Sequence, residues 1–230
     1  MPEIASVIQE SVTIRGPAGS LEGVLTYPDE AEPEQAILIV GPHPMLGGDF
    51  NNNVVAHLAE QLTQPAGVTL RFNFRGVGQS AGEPIISTDN IAQFWATSKI
   101  DAEAGFTEDV KAAGEFLYAT FGEINCVVGY SFGAYLASQW ARQQHELRCL
   151  TMIAPTIDQH DYTHLQELEL SKLIITSFDD FAVPIEKLQE KFQQWKAPKQ
   201  LIVEQVDNHF FRGHEVWLAE QIISFQRGGL

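Results

Sequence analysis

Residues 125–141 read Asn125-Cys126-Val127-Val128-Gly129-Tyr130-Ser131-Phe132-Gly133-Ala134-Tyr135-Leu136-Ala137-Ser138-Gln139-Trp140-Ala141, and two periodicities meet at Ser131. Asn125–Tyr130 is an apolar run of strand length, whereas Phe132, Tyr135, Leu136 and Trp140 recur at helical spacing. A serine held in a sharp strand-to-helix turn crowds its neighbours, and glycines two before and two after it relieve that crowding. With 18 Gly and 11 Ser in 230 residues, random order gives roughly 0.07 Gly-x-Ser-x-Gly strings. The string in this context therefore points to an exposed nucleophilic serine, with a helix N-terminus beneath it that favours developing negative charge.

The same alternation extends outward. Val7–Arg15 and Leu21–Tyr27 flank Gly16-Pro-Ala-Gly and predict an antiparallel hairpin. Strand-length runs follow at Ala36–Val40, Val68–Phe74, Leu147–Ala154, Lys172–Phe178 and Gln200–Val206. Helical patterns intervene around Val54–Leu62 and over Phe106–Phe121, Phe132–Gln143, Pro184–Trp195 and Glu215–Phe225. Short apolar runs between helices imply parallel strands buried on both faces, with right-handed crossovers placing helices on both sides. Function in such sheets collects at the carboxyl ends of the strands, so the loops after Val40, Phe74, Tyr130, Ala154, Phe178 and Val206 are the places to search.

The 30 acidic and 14 basic side chains leave a net charge of −16. That balance argues against nucleic acid and against an anionic membrane surface, both of which need Lys and Arg. At 230 residues, 44% of them hydrophobic, a single domain spanning 1–230 is expected; the acidic turn Pro28–Pro33 is too short to link two. Met1-Pro-Glu-Ile-Ala lacks the basic and apolar regions of a signal peptide, and no apolar stretch has membrane-span length, so a cytoplasmic protein is expected. Cys126 and Cys149 each sit in an apolar run and read as small buried hydrophobes, without a disulfide framework.

On Gly129-Tyr130-Ser131-Phe132-Gly133 and its strand–helix setting, the sequence resembles the α/β-hydrolase superfamily over nearly its whole length, specifically its small, lidless dienelactone-hydrolase-like members, with serine as nucleophile. The resemblance implies a mostly parallel eight-stranded sheet with an N-terminal antiparallel hairpin. It also implies a catalytic triad in the order Ser131, acid, His, with both partners at later strand ends. His209, directly after the last strand, is where the base is implied; His214 is the alternative. For the acid, Ser177-Phe178-Asp179-Asp180-Phe181-Ala182-Val183-Pro184 resembles the family's Gly-x-x-Asp-x-x-Val-Pro and aligns Asp180, with Asp179 and Asp158 as alternatives.

An oxyanion hole needs two N–H donors. One is expected from Phe132, the residue after the nucleophile. The other belongs to Gly41-Pro42-His43-Pro44-Met45-Leu46-Gly47-Gly48, where proline has no N–H to give, leaving His43 or Met45. Alignment with the family's His-Gly-X-Pro favours His43. Met45, Leu46, Tyr130, Phe181 and Phe210 are expected around the substrate.

Three other motifs compete for attention. Arg75-Gly-Val-Gly-Gln-Ser-Ala-Gly82 has its third glycine misplaced for dinucleotide binding, so it reads as a structural turn and no cofactor is expected. His160 and His164, at i, i+4, lack a third ligand, so a solvated loop is expected in place of a metal site. Residues 83–104 exceed a simple connection; Ile91, Phe94, Trp95 and Ser98 predict a short helix capped near Asn90 and Gln93, with Phe94 and Trp95 as a small cap over Ser131. The usual lid position, Pro155–Ser171, has only 17 residues, so an open or lightly covered site is expected.

The expected activity is hydrolysis of a small carboxylic ester or thioester through an acyl-enzyme, with a small-molecule substrate as partner. The alternative is a non-catalytic member that binds a ligand or partner. Neither Ala36–Gly48 nor Asn125–Ala141 contains an Asp, Glu, Lys or Arg, which favours neutral substrates.

Overall fold

The computed structural model describes residues 6–29, 32–64, 67–205 and 209–228. Its strands are β1 (Val7–Gly16), β2 (Gly19–Pro28), β3 (Gln35–Val40), β4 (Gly67–Phe72), β5 (Cys126–Tyr130), β6 (Cys149–Ile153), β7 (Ser171–Ser177) and β8 (Lys199–Glu204). They form one sheet in the order β1-β2-β4-β3-β5-β6-β7-β8. β1 and β2 pair as an antiparallel hairpin, with Gly16 opposite Gly19. β2 joins β4 antiparallel, and every pairing from β4 to β8 is parallel. This is the mostly parallel eight-stranded α/β architecture expected from the sequence.

The helices are α1 (Asn53–Gln61), α2 (Thr88–Thr97), α3 (Phe106–Phe121), α4 (Phe132–Ala141), α5 (Ile185–Gln194) and α6 (Glu215–Gly228). α1 packs on α6 and α3 packs on α4, giving helical layers over the sheet. Every residue of β4, β5 and β6 is buried, because those strands have helices on both faces. β8, at the sheet edge, has no buried residue.

Strand and helix ends differ from expectation by up to three residues, the largest shift being α6, which runs on to Gly228. β4 stops at Phe72 because Asn73 turns its Oδ1 to the Phe50 N–H at 2.8 Å. The cap of α2 is Ser87, whose Oγ accepts from the Asn90 N–H at 3.2 Å, while the Asn90 amide bonds the Ile85 carbonyl. The last strand was expected to reach Val206, which lies outside the described residues. The cysteines also differ from expectation. Register sets Cys126 directly opposite Cys149 on β5 and β6, their Cα atoms 4.9 Å apart, and they are disulfide-bonded. That separation lies within the range a disulfide spans.

The turn after β4 opens no helix at Gly78; the next helix, α2, begins ten residues later. Arg75 instead forks onto the fully buried Asp109 of α3, with Nη2 2.7 Å and Nε 3.0 Å from Oδ1. Ser80 Oγ donates to the Asn73 carbonyl at 2.9 Å.

Candidate active site

The turn between β5 and α4 holds Ser131 at φ 56°, ψ −118°, a region that costs a non-glycine residue about 1–3 kcal/mol. The glycines on either side make it possible. A Cβ on Gly129 would lie 2.3 Å from the Gly133 carbonyl oxygen, and one on Gly133 would lie 2.2 Å from that of Val40. The Ser131 N–H donates to the Ile153 carbonyl at 2.8 Å, which ties the turn to β6.

Three side chains from separate loops form one hydrogen-bonded chain. Ser131 Oγ lies 2.9 Å from His209 Nε2, and His209 Nδ1 lies 2.8 and 2.9 Å from the two Asp180 oxygens. Asp180 Oδ1 also accepts from the Ala182 N–H at 2.8 Å. With the carboxylate on Nδ1, the imidazole carries its proton there and presents the Nε2 lone pair to the Ser131 hydroxyl. All three residues are buried. The alternatives stand elsewhere. Asp179 is exposed, Asp158 pairs with Lys187 at 2.9 Å, and His214 sits at the entrance to α6.

Tyr130 lies beneath this chain. Its hydroxyl donates to the His209 carbonyl at 2.9 Å, and its ring stacks on the imidazole at 5.7 Å. Burial, and next the Asp180 charge, push the phenol up, so it remains a donor.

The loop after β3 faces Ser131 from the other side. The Met45 N–H donates to His43 Nδ1 at 3.1 Å, so of the two candidate donors Met45 is already engaged. Among the described residues, the backbone N–H groups of His43 and Phe132 have no acceptor. The loop closes on itself through Gly48, whose Cβ position would fall 2.0 Å from the Pro42 carbonyl oxygen. His43 Nε2 is 3.1 Å from Glu103 Oε1, and its ring stacks on Phe94 and tilts against Phe132, each at 4.9 Å.

A cavity of 180 Å³ opens over Ser131 and His209, smaller than the roughly 300–1,000 Å³ of drug-sized ligand pockets. Leu46, Phe94, Trp95 and Phe181, four of the residues expected around the substrate, line it. Phe181 and Trp95 are 70% and 78% exposed and form its rim, and α2 buries none of its own residues. Met45, Tyr130 and Phe210 lie outside the lining; Phe210 stands edge-on to His209 at 5.7 Å. The lining holds no Asp, Glu, Lys or Arg.

Ser98, Thr156, Gln159 and His160 also line the cavity and were not singled out from sequence as substrate contacts. His160 Nδ1 is 2.9 Å from Thr156 Oγ1 and its ring stacks on Tyr135 at 4.5 Å. Burial pushes it down to about 4. His164 turns away, onto Ser138 and Gln139. The i, i+4 spacing of His160 and His164 therefore brings no common site.

No family model matches the chain. It is 29% identical to an uncharacterized protein of Rickettsia prowazekii over 214 residues, 87% of this chain and 82% of that one. Among solved structures, an alpha-beta serine hydrolase homologue from Coxiella burnetii is 31% identical and superposes with a TM-score of 0.79, covering 93% of this chain and 95% of its own. An α/β serine hydrolase without lid from Xanthomonas campestris, 24% identical, shares the fold with a TM-score of 0.77, over 93% of this chain and 91% of its own.

Proposed function

The chain belongs to the α/β-hydrolase superfamily, and from that premise we propose that it is a single-domain serine hydrolase cleaving small, neutral carboxylic esters or thioesters through an acyl-enzyme. The observation that carries the reading is the unbroken contact from Asp180 through His209 to Ser131 Oγ, with a serine held at positive φ. His209 Nε2 takes the hydroxyl proton as Oγ bonds to the substrate carbonyl carbon. The oxygen of the tetrahedral intermediate takes hydrogen bonds from the Phe132 and His43 N–H groups, each worth about 2.7–4 kcal/mol in the transition state. The imidazolium, stabilised by Asp180, gives its proton to the departing alkoxide or thiolate. Water then enters and loses a proton to His209 Nε2 as its oxygen bonds to the acyl carbon; the bond from that carbon to Oγ breaks, Nε2 returns the proton to Ser131 Oγ, and the acid leaves. The uncharged lining and the cavity size support a neutral substrate with a short acyl group, and the net charge of −16 opposes polyanions at low salt.

A fluorophosphonate probe tests this. It is expected to label the wild type on Ser131 and to leave Ser131→Ala unlabelled. A folded wild type that takes no label would overturn the reading, and equal labelling of the variant would overturn the choice of nucleophile. Hydrolysis of p-nitrophenyl acetate is expected to show a burst of p-nitrophenol stoichiometric with enzyme.

A further inference from the structure

The site contains a second carboxylate–imidazole pair, and the reaction as described does not use it. His43 Nδ1 accepts from the Met45 N–H at 3.1 Å. That bond requires a lone pair on Nδ1, so in the neutral ring the proton sits on Nε2. Nε2 in turn lies 3.1 Å from Glu103 Oε1. The imidazole is therefore a bridge, taking a proton donor from its own loop on one side and donating to Glu103 on the other. Both side chains are shielded, at 5% and 14% exposure. Glu103 is itself fixed, because the same oxygen accepts from the Ile100 N–H at 2.8 Å.

We propose that Glu103 is a positioning residue for the oxyanion hole: by holding the Nε2–H tautomer of His43, it keeps the 41–48 loop in the shape that frees the His43 N–H for the reacting carbonyl oxygen. The alternative tautomer explains why an acceptor is needed. With the proton on Nδ1, the ring would set a donor against the Met45 N–H, and that bond would be lost. Glu103 opposes this state, since only Nε2–H satisfies a carboxylate. The pair parallels Asp180 and His209, one carboxylate fixing the tautomer that pulls a proton from Ser131 and the other fixing the tautomer that shapes the hole. Phe94 closes over the His43 ring at 4.9 Å, so residues 83–104 supply both the carboxylate and its cover.

This inference rests on the hydrolase reading above, and the test separates the two. The assay uses p-nitrophenyl acetate for kcat and KM, and phenylboronic acid, whose tetrahedral adduct on Ser131 places an oxygen in the hole, for inhibition. Glu103→Leu is expected to lower kcat roughly 10- to 100-fold, the usual effect of removing a partner that orients a functional group. KM should stay within about threefold, because the hole acts mainly on the transition state. The boronate inhibition constant should rise by the same factor as kcat/KM falls. On a His43→Ala background the same change should add less than about twofold, since the two residues act as one unit.

Glu103→Gln keeps an oxygen for both donors, so its kcat should fall between wild type and Glu103→Leu. Should Glu103→Leu fail to fold, the loss of kcat in Glu103→Gln at unchanged KM carries the test. Wild-type kcat in both Glu103 variants, or full additivity with His43→Ala, would overturn the inference while leaving the hydrolase reading intact. A folded wild type that neither labels nor hydrolyses would overturn the hydrolase reading, and this one with it.

Discussion

Asp179 and Asp180 are adjacent, and spacing alone could not separate them. Both follow a strand and precede a helix, and only the family resemblance aligned the second. Backbone direction distinguishes them physically: Asp180 turns inward to His209 and to the Ala182 N–H, while Asp179 faces solvent. Asp180→Asn should therefore lower kcat by roughly 10⁴-fold, because an amide at that place no longer selects the imidazole tautomer that accepts the Ser131 proton. Asp179→Asn should change activity by about twofold or less, in line with the 0.5 kcal/mol or so of ordinary surface substitutions. Steady-state rates of the two variants decide the matter; reversed effects would move the acid to Asp179. Glu103 was harder to foresee. It meets His43 across 60 residues of chain, so no local pattern joins them, and the acidic stretch around it reads as solvated charge until the fold brings the two together.

At the scale of elements, hydrophobic period carried most of the reading. The parallel strands β3 to β7 are legible because burial on both faces leaves continuous apolar runs, and α3 begins and ends where its periodicity does, at Phe106 and Phe121. α2 is the exception. Its period-3.6 pattern is present, yet none of its residues is buried, because Phe94 and Trp95 line the cavity above Ser131. A pattern of apolar spacing does not distinguish a cavity rim from a core, and Phe94 serves both, since it also packs against the hydrophobic core. The turn between β5 and α4, by contrast, is dictated by backbone proximity. Gly133→Ala would force a methyl to within 2.2 Å of the Val40 carbonyl oxygen and 2.3 Å of that of Gly41. Neither is a flexible side-chain end that could swing aside. A loss of about 1–3 kcal/mol is expected, together with reduced probe labelling of Ser131, since α4 would have to move off β3. Gly228→Ala, where among the described residues nothing beyond its chain neighbours and its own helix backbone lies within 4 Å of the added carbon, should stay within about 0.5 kcal/mol. Urea denaturation midpoints of the two variants compare them directly.

Across the whole molecule, charge and titration are distributed unevenly. The net −16 lies outside the cavity lining, which holds no Asp, Glu, Lys or Arg. Composition gave the first part of this, since the segments around the nucleophile and the loop after β3 hold no charged residue. It could not give the environment of His160, which sequence placed on a solvated loop and the fold tucks against Tyr135 and Thr156. Burial there pushes the imidazole from 6.5 to about 4, partly opposed by Glu103 and assisted by Lys99 and His43. Between these two values the unfolded chain binds a proton at this residue that the folded chain does not. Stability from this group is therefore complete above about pH 6.5 and declines as pH falls toward 4. Many carboxylates titrate in the same window, so the informative quantity is a difference: the stability lost between pH 7 and pH 4.5, measured by urea denaturation, should be smaller in His160→Gln than in wild type. Equal losses would mean that the folded protein protonates His160 as readily as the unfolded chain does. His160 would then be solvated in the way the sequence alone suggested, and the wall it contributes to the cavity would be open to water.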